Sequence, residues 1–466
     1  MSAGGHNRDR LLIDAIALER RVALIRNDRL CRLWIDRGGP ARFDIHLGRV
    51  SKILPEMAAA MVALDGLEDG LLPFDRHDGP LHEGQWVVVQ IARLGFEDKG
   101  VKLTGRIAIE GVGMILRPGG RLIELPRKLK DAQQRANLLA ILKNIQSHDD
   151  GIMLRSGATD WDEDAIAGEY RLLSAQWQKA EAALANPRKP LLVCKAQSEL
   201  DQMIERHLMA GQECLVDGVD EFVRLRGILK ARGKAEDHLL RHGGSRLLFD
   251  DQDIEADIAN ALISKVDLAG GGWIAIDQAT ALCAIDVNGA GADSGRDPET
   301  RAIDINLRAA DEIVQQIRLR NIGGLVVVDP LRMKSRAGRD KFDAAIKAAF
   351  GLELDGAVQI GGFTRLGLYE FSRQRAGESL AARILVKQDQ AQLNAVSALN
   401  NVLRNVVGES RAGLAGTVRL YVASDIAQRL AESDDARQIL IRVFGTVPQI
   451  LADPALENDS YRLEKN

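Results

Sequence analysis

Asp286 and Asn288 stand two residues apart in the run ALCAIDVNG, and Asp329 ends a second apolar run, IGGLVVVDP. In an extended chain residues i and i+2 share a face, so a strand here turns Asp286 and Asn288 to the same side. Two carboxylates and an amide oxygen form a hard, oxygen-only donor set. Such a set suits Mg²⁺, which takes one or two carboxylates, keeps several waters and is completed by substrate phosphates. None of the eight histidines falls between 270 and 380. With no imidazole base in the local sequence, a metal-activated water is the more economical nucleophile. The competing reading is that D-x-N and a strand-end Asp are ordinary turn and cap residues.

Those residues need elements to position them. Residues 270–291 read as two β-like runs split by a turn at Asp277-Gln278. A helix fits 304–320, with Leu307, Ala310, Ile313, Val314 and Ile317 on one stripe, Arg318 and Arg320 complementing its dipole in the last turn, and Gly323-Gly324 ending it. Strand, helix, strand then brings Asp286, Asn288 and Asp329 to one rim of a sheet, where α/β ligand sites form. Residues 318–347 hold eight Lys and Arg against three Asp, a local +5, as a polyanion site requires, although such clusters are also found as solvated faces. Pattern alone stops at an α/β protein that handles phosphate.

The rest of the chain sets the frame. At 466 residues it is too long for one core. Its net charge of −4 argues against a wholly basic coat protein, and 4% aromatic residues argue against binding that rests on base stacking. The average hides polarity: 117–157 carries +4 and 158–187 carries −4. Cys31, Cys194, Cys214 and Cys283 stand apart, without a C-x-x-C or a Cys/His cluster, so reduced and mostly buried thiols are expected. A polar start and the lack of a long apolar run point to a cytoplasmic protein with no membrane association. Residues 10–36 read as strands hinged at Asn27-Asp28, and five short β-like runs between Asp44 and Ile109, separated by Gly and Asp turns, read as a small closed barrel of the OB type. Helical spacing marks 163–185, closed by Asn186-Pro187, and 386–466 reads as a small α/β closing domain.

Three long motifs carry a resemblance: GGWIAIDQATALCAIDVNGA, NLRAADEIVQQIRLRNIGGLVVVDP and TRLGLYEFSRQR. With the opening LLIDAIALERRVALI, the barrel segment GRVSKILPEMAAAMVAL and GIMLRSGA, they make the chain resemble the ribonuclease E/G endoribonucleases. The resemblance implies an α/β (α+β multidomain) chain. Its parts would be a split RNase H-like domain (1–43 and 188–266), an inserted S1/OB barrel (44–116), a 5′-end sensor (117–187), a DNase I-like catalytic subdomain (267–385) and the small C-terminal domain (386–466).

It further implies an Mg²⁺-dependent endoribonuclease of single-stranded, A/U-rich RNA with a 5′-monophosphate, acting in RNA processing and decay and leaving 3′-hydroxyl and 5′-phosphate ends. Asp286 and Asp329 would hold the metal, and Asn288 would position the attacking water or the phosphate. Arg155 and Ser156 match the 5′-phosphate contacts, with Ser where Thr is usual. Lys99 and Lys102 would contact RNA by charge on the barrel, and Arg365 and Arg373 match family positions near the active site, either as RNA contacts or as structural ion-pair partners. Two departures stand out. Met61 and Leu71 occupy the positions of the barrel's two stacking Phe residues, and the C-P-x-C zinc link is missing after Ser379. No structural zinc is therefore expected, and any homo-oligomer would form without it. The alternative implied by these losses is a catalytically weak or inactive RNA-binding paralogue.

Overall fold

The structure, a computed structural model, describes residues 9–95, 100–147, 150–196, 198–231, 233–289, 297–351, 355–374, 377–386, 392–414 and 417–465. It is a mixed α/β chain that divides into two compact units, Gly38–Glu205 and the combination of Met1–Arg37 with Arg206–Asn466.

Within the second unit, a sheet is assembled from the two ends of the interruption. Arg10–Asp14, Arg20–Arg26 and Arg29–Asp36 form an antiparallel meander. The expected hinge holds, with Asn27 and Asp28 both at positive φ (53° and 56°), the geometry that suits the right-handed twist of a hairpin. Cys214–Asp217 and Leu239–Arg241 then add in parallel beside the first strand. A six-stranded sheet, Lys265–Asp267, Trp273–Gln278, Leu282–Asn288, Gly324–Asp329, Tyr369–Arg373 and Val358–Phe363 in spatial order, carries the proposed acids. The chain reverses just after Gln278, slightly later than expected. A three-stranded sheet with helices Ala395–Arg411, Ser424–Glu432 and Asp434–Phe444 forms the closing region.

The first unit contains a barrel of Ile45–Leu54, Ala59–Ala63, Gly70–Pro73, Trp86–Arg93 and Lys102–Thr104, closed where the first strand also pairs with Trp86–Arg93. The strand Leu191–Cys194 joins this sheet through Ile45–Leu54, so the stretch from 188, expected in the split sheet, packs with the barrel. Beside it a four-stranded sheet is covered by the expected helix Glu163–Ala185 and by Ala132–Ile145, a helix the apolar spacing had not marked. All four cysteines are buried and free. Among the described residues no helix is long and apolar enough to cross a membrane.

Burial also sets a pH limit on the second unit. His207 is buried, its Nε2 makes no hydrogen bond among the described residues, and burial pushes its pKa from 6.5 down to about 4. A depressed imidazole pKa means that the unfolded chain takes the proton first as pH falls. The stabilisation is complete above about pH 6.5 and is lost as pH falls toward 4. Denaturant melts at about pH 7 and about pH 4.5 are expected to differ by about 2 to 3 kcal/mol more in the native protein than in His207→Leu. Equal differences would exclude His207 as the cause.

Candidate active site

The strand Leu282–Asn288 alternates cleanly. Cys283, Ile285 and Val287 are buried in a core with Ile305, Ala309 and Ile313 of the helix Pro298–Leu319, while Ala284 and Asp286 are exposed on the other side. The next strand runs parallel to it, and its last residue, Asp329, is the register partner of Asp286. Neighbouring strands lie about 4.8 Å apart, so the two exposed carboxyl groups start side by side. Asn288 reaches back to donate from Nδ2 to Asp286 Oδ2 at 3.4 Å. Thus strand, helix and strand bring together Asp286, Asn288 and Asp329, as their spacing predicts. Among the described residues, neither Asp has a cation within ion-pair distance, and no third Asp, Glu, His or Cys joins them as a metal-binding group.

A second carboxylate pair shows what the first could have been. Asp14 and Asp217 are also register partners on adjacent parallel strands, yet they are 2% and 1% exposed. Asp14 is bonded by Arg21 and Arg404, and Asp217 by both terminal nitrogens of Arg411 at 2.6 and 2.8 Å. Although burial opposes ionisation, the two arginines hold the Asp14 carboxyl below its ordinary range. This pair is neutralised from within and has no coordination left to offer. Asp286 and Asp329 keep theirs.

The segment following Asp329 is fixed by residues that sequence reasoning missed. Asn306, 0% exposed in the helix Pro298–Leu319, donates to Leu331 O at 2.8 Å and accepts from Leu331 N at 2.9 Å. Glu299, in the helix's first turn, accepts from the backbone N–H groups of Lys334 and Ser335 at 3.0 and 2.9 Å. Those hydrogen bonds to the charged form hold its carboxyl below the usual range. The clue available in the sequence was Asn306 itself, a poor helix former set within an apolar stripe. The helix begins at Pro298, six residues before the expected start, with Asp297 as its cap.

Charge around the pair differs from expectation in part. Arg332, Lys334, Arg336 and Lys341 are exposed. Arg365 is exposed in the hairpin turn past Tyr369, the residue opposite Val328, and so lies beyond the Asp329 end of that strand. Arg318 and Arg320 are buried instead. Arg318 pairs with buried Asp355 at 2.9 Å, and Arg320 donates to Gln316 at 2.8 Å, burial pushing its pKa down to about 10. Arg373, expected to meet RNA, is 2% exposed and donates to the carbonyls of Asp355 and Ile322, both at 2.9 Å. It ties its strand to the segments that precede Gly324–Asp329 and Val358–Phe363, and its guanidinium is buried away from the surface. The usable charge of 318–347 is therefore smaller than +5.

On the barrel, Cα partners connect Lys52 to Met61, Met61 to Leu71, Leu71 to Lys102 and Lys102 to Arg93. Lys52, Lys102 and Arg93 are exposed, and Met61 and Leu71 are half-buried. The row is an apolar centre between cations. Lys52 and Arg93 were not foreseen, because barrel register is non-local; Lys99 lies outside the described residues. Arg155 follows the strand Asp150–Leu154, and exposed Ser156 opens the short turn after it.

Known proteins resemble the chain over these same regions. Residues 108–376 match the family model described as the Ribonuclease E/G family. Ribonuclease E of Escherichia coli is 30% identical over 400 residues, covering 80% of this chain and 37% of that protein. Ribonuclease E of Synechocystis is 29% identical over 378 residues (77% and 56%), and ribonuclease G of Escherichia coli 25% over 406 (79% and 80%). The chain thus spans between about a third and a little over half of the ribonuclease E relatives it matches. With the family model covering more than half of its length, the chain belongs to the ribonuclease E/G family.

Proposed function

We propose that the chain is an Mg²⁺-dependent endoribonuclease that cuts single-stranded, A/U-rich RNA to leave 3′-hydroxyl and 5′-phosphate ends. In this role it acts in the cytoplasm in RNA processing and decay. The observation that carries the reading is the register pair Asp286 and Asp329, exposed and free of internal cations among the described residues. Its counterpart at Asp14 and Asp217 is saturated by arginine. A two-carboxylate set suits Mg²⁺, whose remaining positions go to water and phosphate oxygens. Bound there, the ion would supply a Lewis acid for the phosphoryl oxygen and acidify a coordinated water.

The chain's own residues do the rest. Asn288 orients the Asp286 carboxylate through Nδ2. Arg332, Lys334 and Arg365 offer charge to RNA phosphates near Asp329, while Arg155 and Ser156 receive a 5′-terminal phosphate. Any homo-oligomer would assemble without a zinc link. The test is cleavage of a 5′-monophosphorylated A/U-rich oligonucleotide with Mg²⁺, with and without EDTA. Salt-sensitive RNA binding with no metal-dependent turnover would instead assign the non-catalytic, RNA-binding role.

The barrel row makes a separate prediction. With Met and Leu at its centre, affinity must rest more on phosphate contacts than on stacking. Lys52→Ala and Arg93→Ala are each expected to weaken single-strand binding about threefold. Each should also reduce the slope of log affinity against log salt by about 0.7. Filter binding across a salt series reads both values, and unchanged slopes would remove the row from the RNA path.

A further inference from the structure

Arg155 has an internal partner. Glu110 ends the short strand Ile109–Glu110, which pairs with Met114–Pro118, and that strand pairs in turn with Asp150–Leu154. The turn between the first two is held from below. Gly113 N donates to buried Glu169 at 2.8 Å, and a Cβ on Gly111 would run into the same carboxylate. Arg155 N is fixed to Gly113 O at 2.8 Å. These constraints set the Glu110 carboxylate against the Arg155 guanidinium, Oε2 to Nη2 at 3.0 Å. The two side chains are 22% and 32% exposed, so solvent and anions reach the pair. Among the described residues Arg155 Nε, which is buried, has no hydrogen-bond partner, a donor that the carboxylate leaves unused.

We infer that Glu110 is a specificity-determining residue: it occupies the arginine that would receive an RNA 5′-phosphate, and so suppresses discrimination between phosphorylated and hydroxyl 5′ ends. The inference rests on Arg155 as the end contact and concerns how large its effect is. Carboxylate and phosphate compete for the same guanidinium fork. A terminal phosphate must displace Glu110 and then sit beside a like charge. Partly exposed ion pairs of this kind are weak, so removing the carboxylate is compatible with folding and frees the donors for phosphate.

The test uses the full chain as wild type, Glu110→Gln, Arg155→Ala and the double variant, with Glu110→Ala as a second probe should Glu110→Gln fold poorly. One A/U-rich oligonucleotide is supplied with a 5′-monophosphate or a 5′-hydroxyl. Cleavage with Mg²⁺ is measured, together with binding by the same four proteins carrying Asp286→Asn. The expected 5′-phosphate preference is below about threefold in wild type, about tenfold in Glu110→Gln, and absent in both Arg155→Ala proteins, a gain of the size that a freed charge-assisted hydrogen bond supplies. A wild-type preference of tenfold or more that Arg155→Ala abolishes and Glu110→Gln leaves unchanged would overturn the role of Glu110 while keeping the end contact. Equal handling of both ends by all four proteins would overturn the end contact itself, and the inference with it.

Discussion

Replacing either Asp286 or Asp329 by Asn is expected to lower RNA cleavage by at least about a thousandfold while leaving the fold and RNA binding in place. Both carboxylates are exposed, and neither carries an ion pair among the described residues, so stability should change by no more than about 0.5 kcal/mol. Asn keeps the size of Asp but removes the charge. With carboxylates about 5 Å apart, mutual repulsion in water is about 1 kcal/mol, a strain that a divalent cation relieves and a single carboxylate does not create. RNA affinity should stay level or rise slightly, since an anion has been taken away from phosphate. The double variant should be little worse than either single one, because the pair acts as a unit. Single-turnover cleavage across an Mg²⁺ series, with binding measured alongside, checks all three points. Wild-type rates in both single variants would remove the pair from the chemistry.

The contrast with Asp14 and Asp217 shows where sequence reading is strong. The period-two pattern around Asp286 and the apolar run ending at Asp329 are local, and a single helical crossover joins the two strands as parallel neighbours. The same was true of the hairpin at Asn27-Asp28 and of the helix Glu163–Ala185. Positions decided by distant residues were not legible. A cation at the end of an amphipathic helix looks solvent-exposed, yet Arg318 is buried because Asp355, 37 residues later, is buried with it. Arg373 lies in a strand whose neighbours fill its hydrogen bonds with backbone carbonyls. Lys52 and Arg93 join a row only through barrel closure. Glu110 meets Arg155 only because three strands bring them together. In each case the deciding partner is far along the chain.

Asn306→Ala tests the same point at the active site, and a loss of catalytic rate with little change in KM is expected. The Asn306 amide closes both hydrogen bonds of Leu331, two residues beyond Asp329. Alanine leaves that N–H and C=O unpaired. The cost is about 2 to 3 kcal/mol, offset by roughly 0.5 kcal/mol from the better helix propensity of Ala. A purely structural residue would show only this lowered stability. A positioning residue shows more, because the segment from Leu331 to Ser335 carries Arg332 and Lys334 and follows directly from Asp329. Displacements near 1 Å at a reacting centre cost up to about a hundredfold, so kcat should fall about ten- to a hundredfold and the Mg²⁺ midpoint should rise, both measured well below the melting temperature. Asn306→Asp keeps the acceptor for Leu331 N but loses the donor and buries a charge, so it should be no better than Ala. A variant that melts earlier yet retains wild-type kcat and Mg²⁺ midpoint would show that Asn306 holds the fold alone, and that Asp329 is placed by its strand without help from the segment after it.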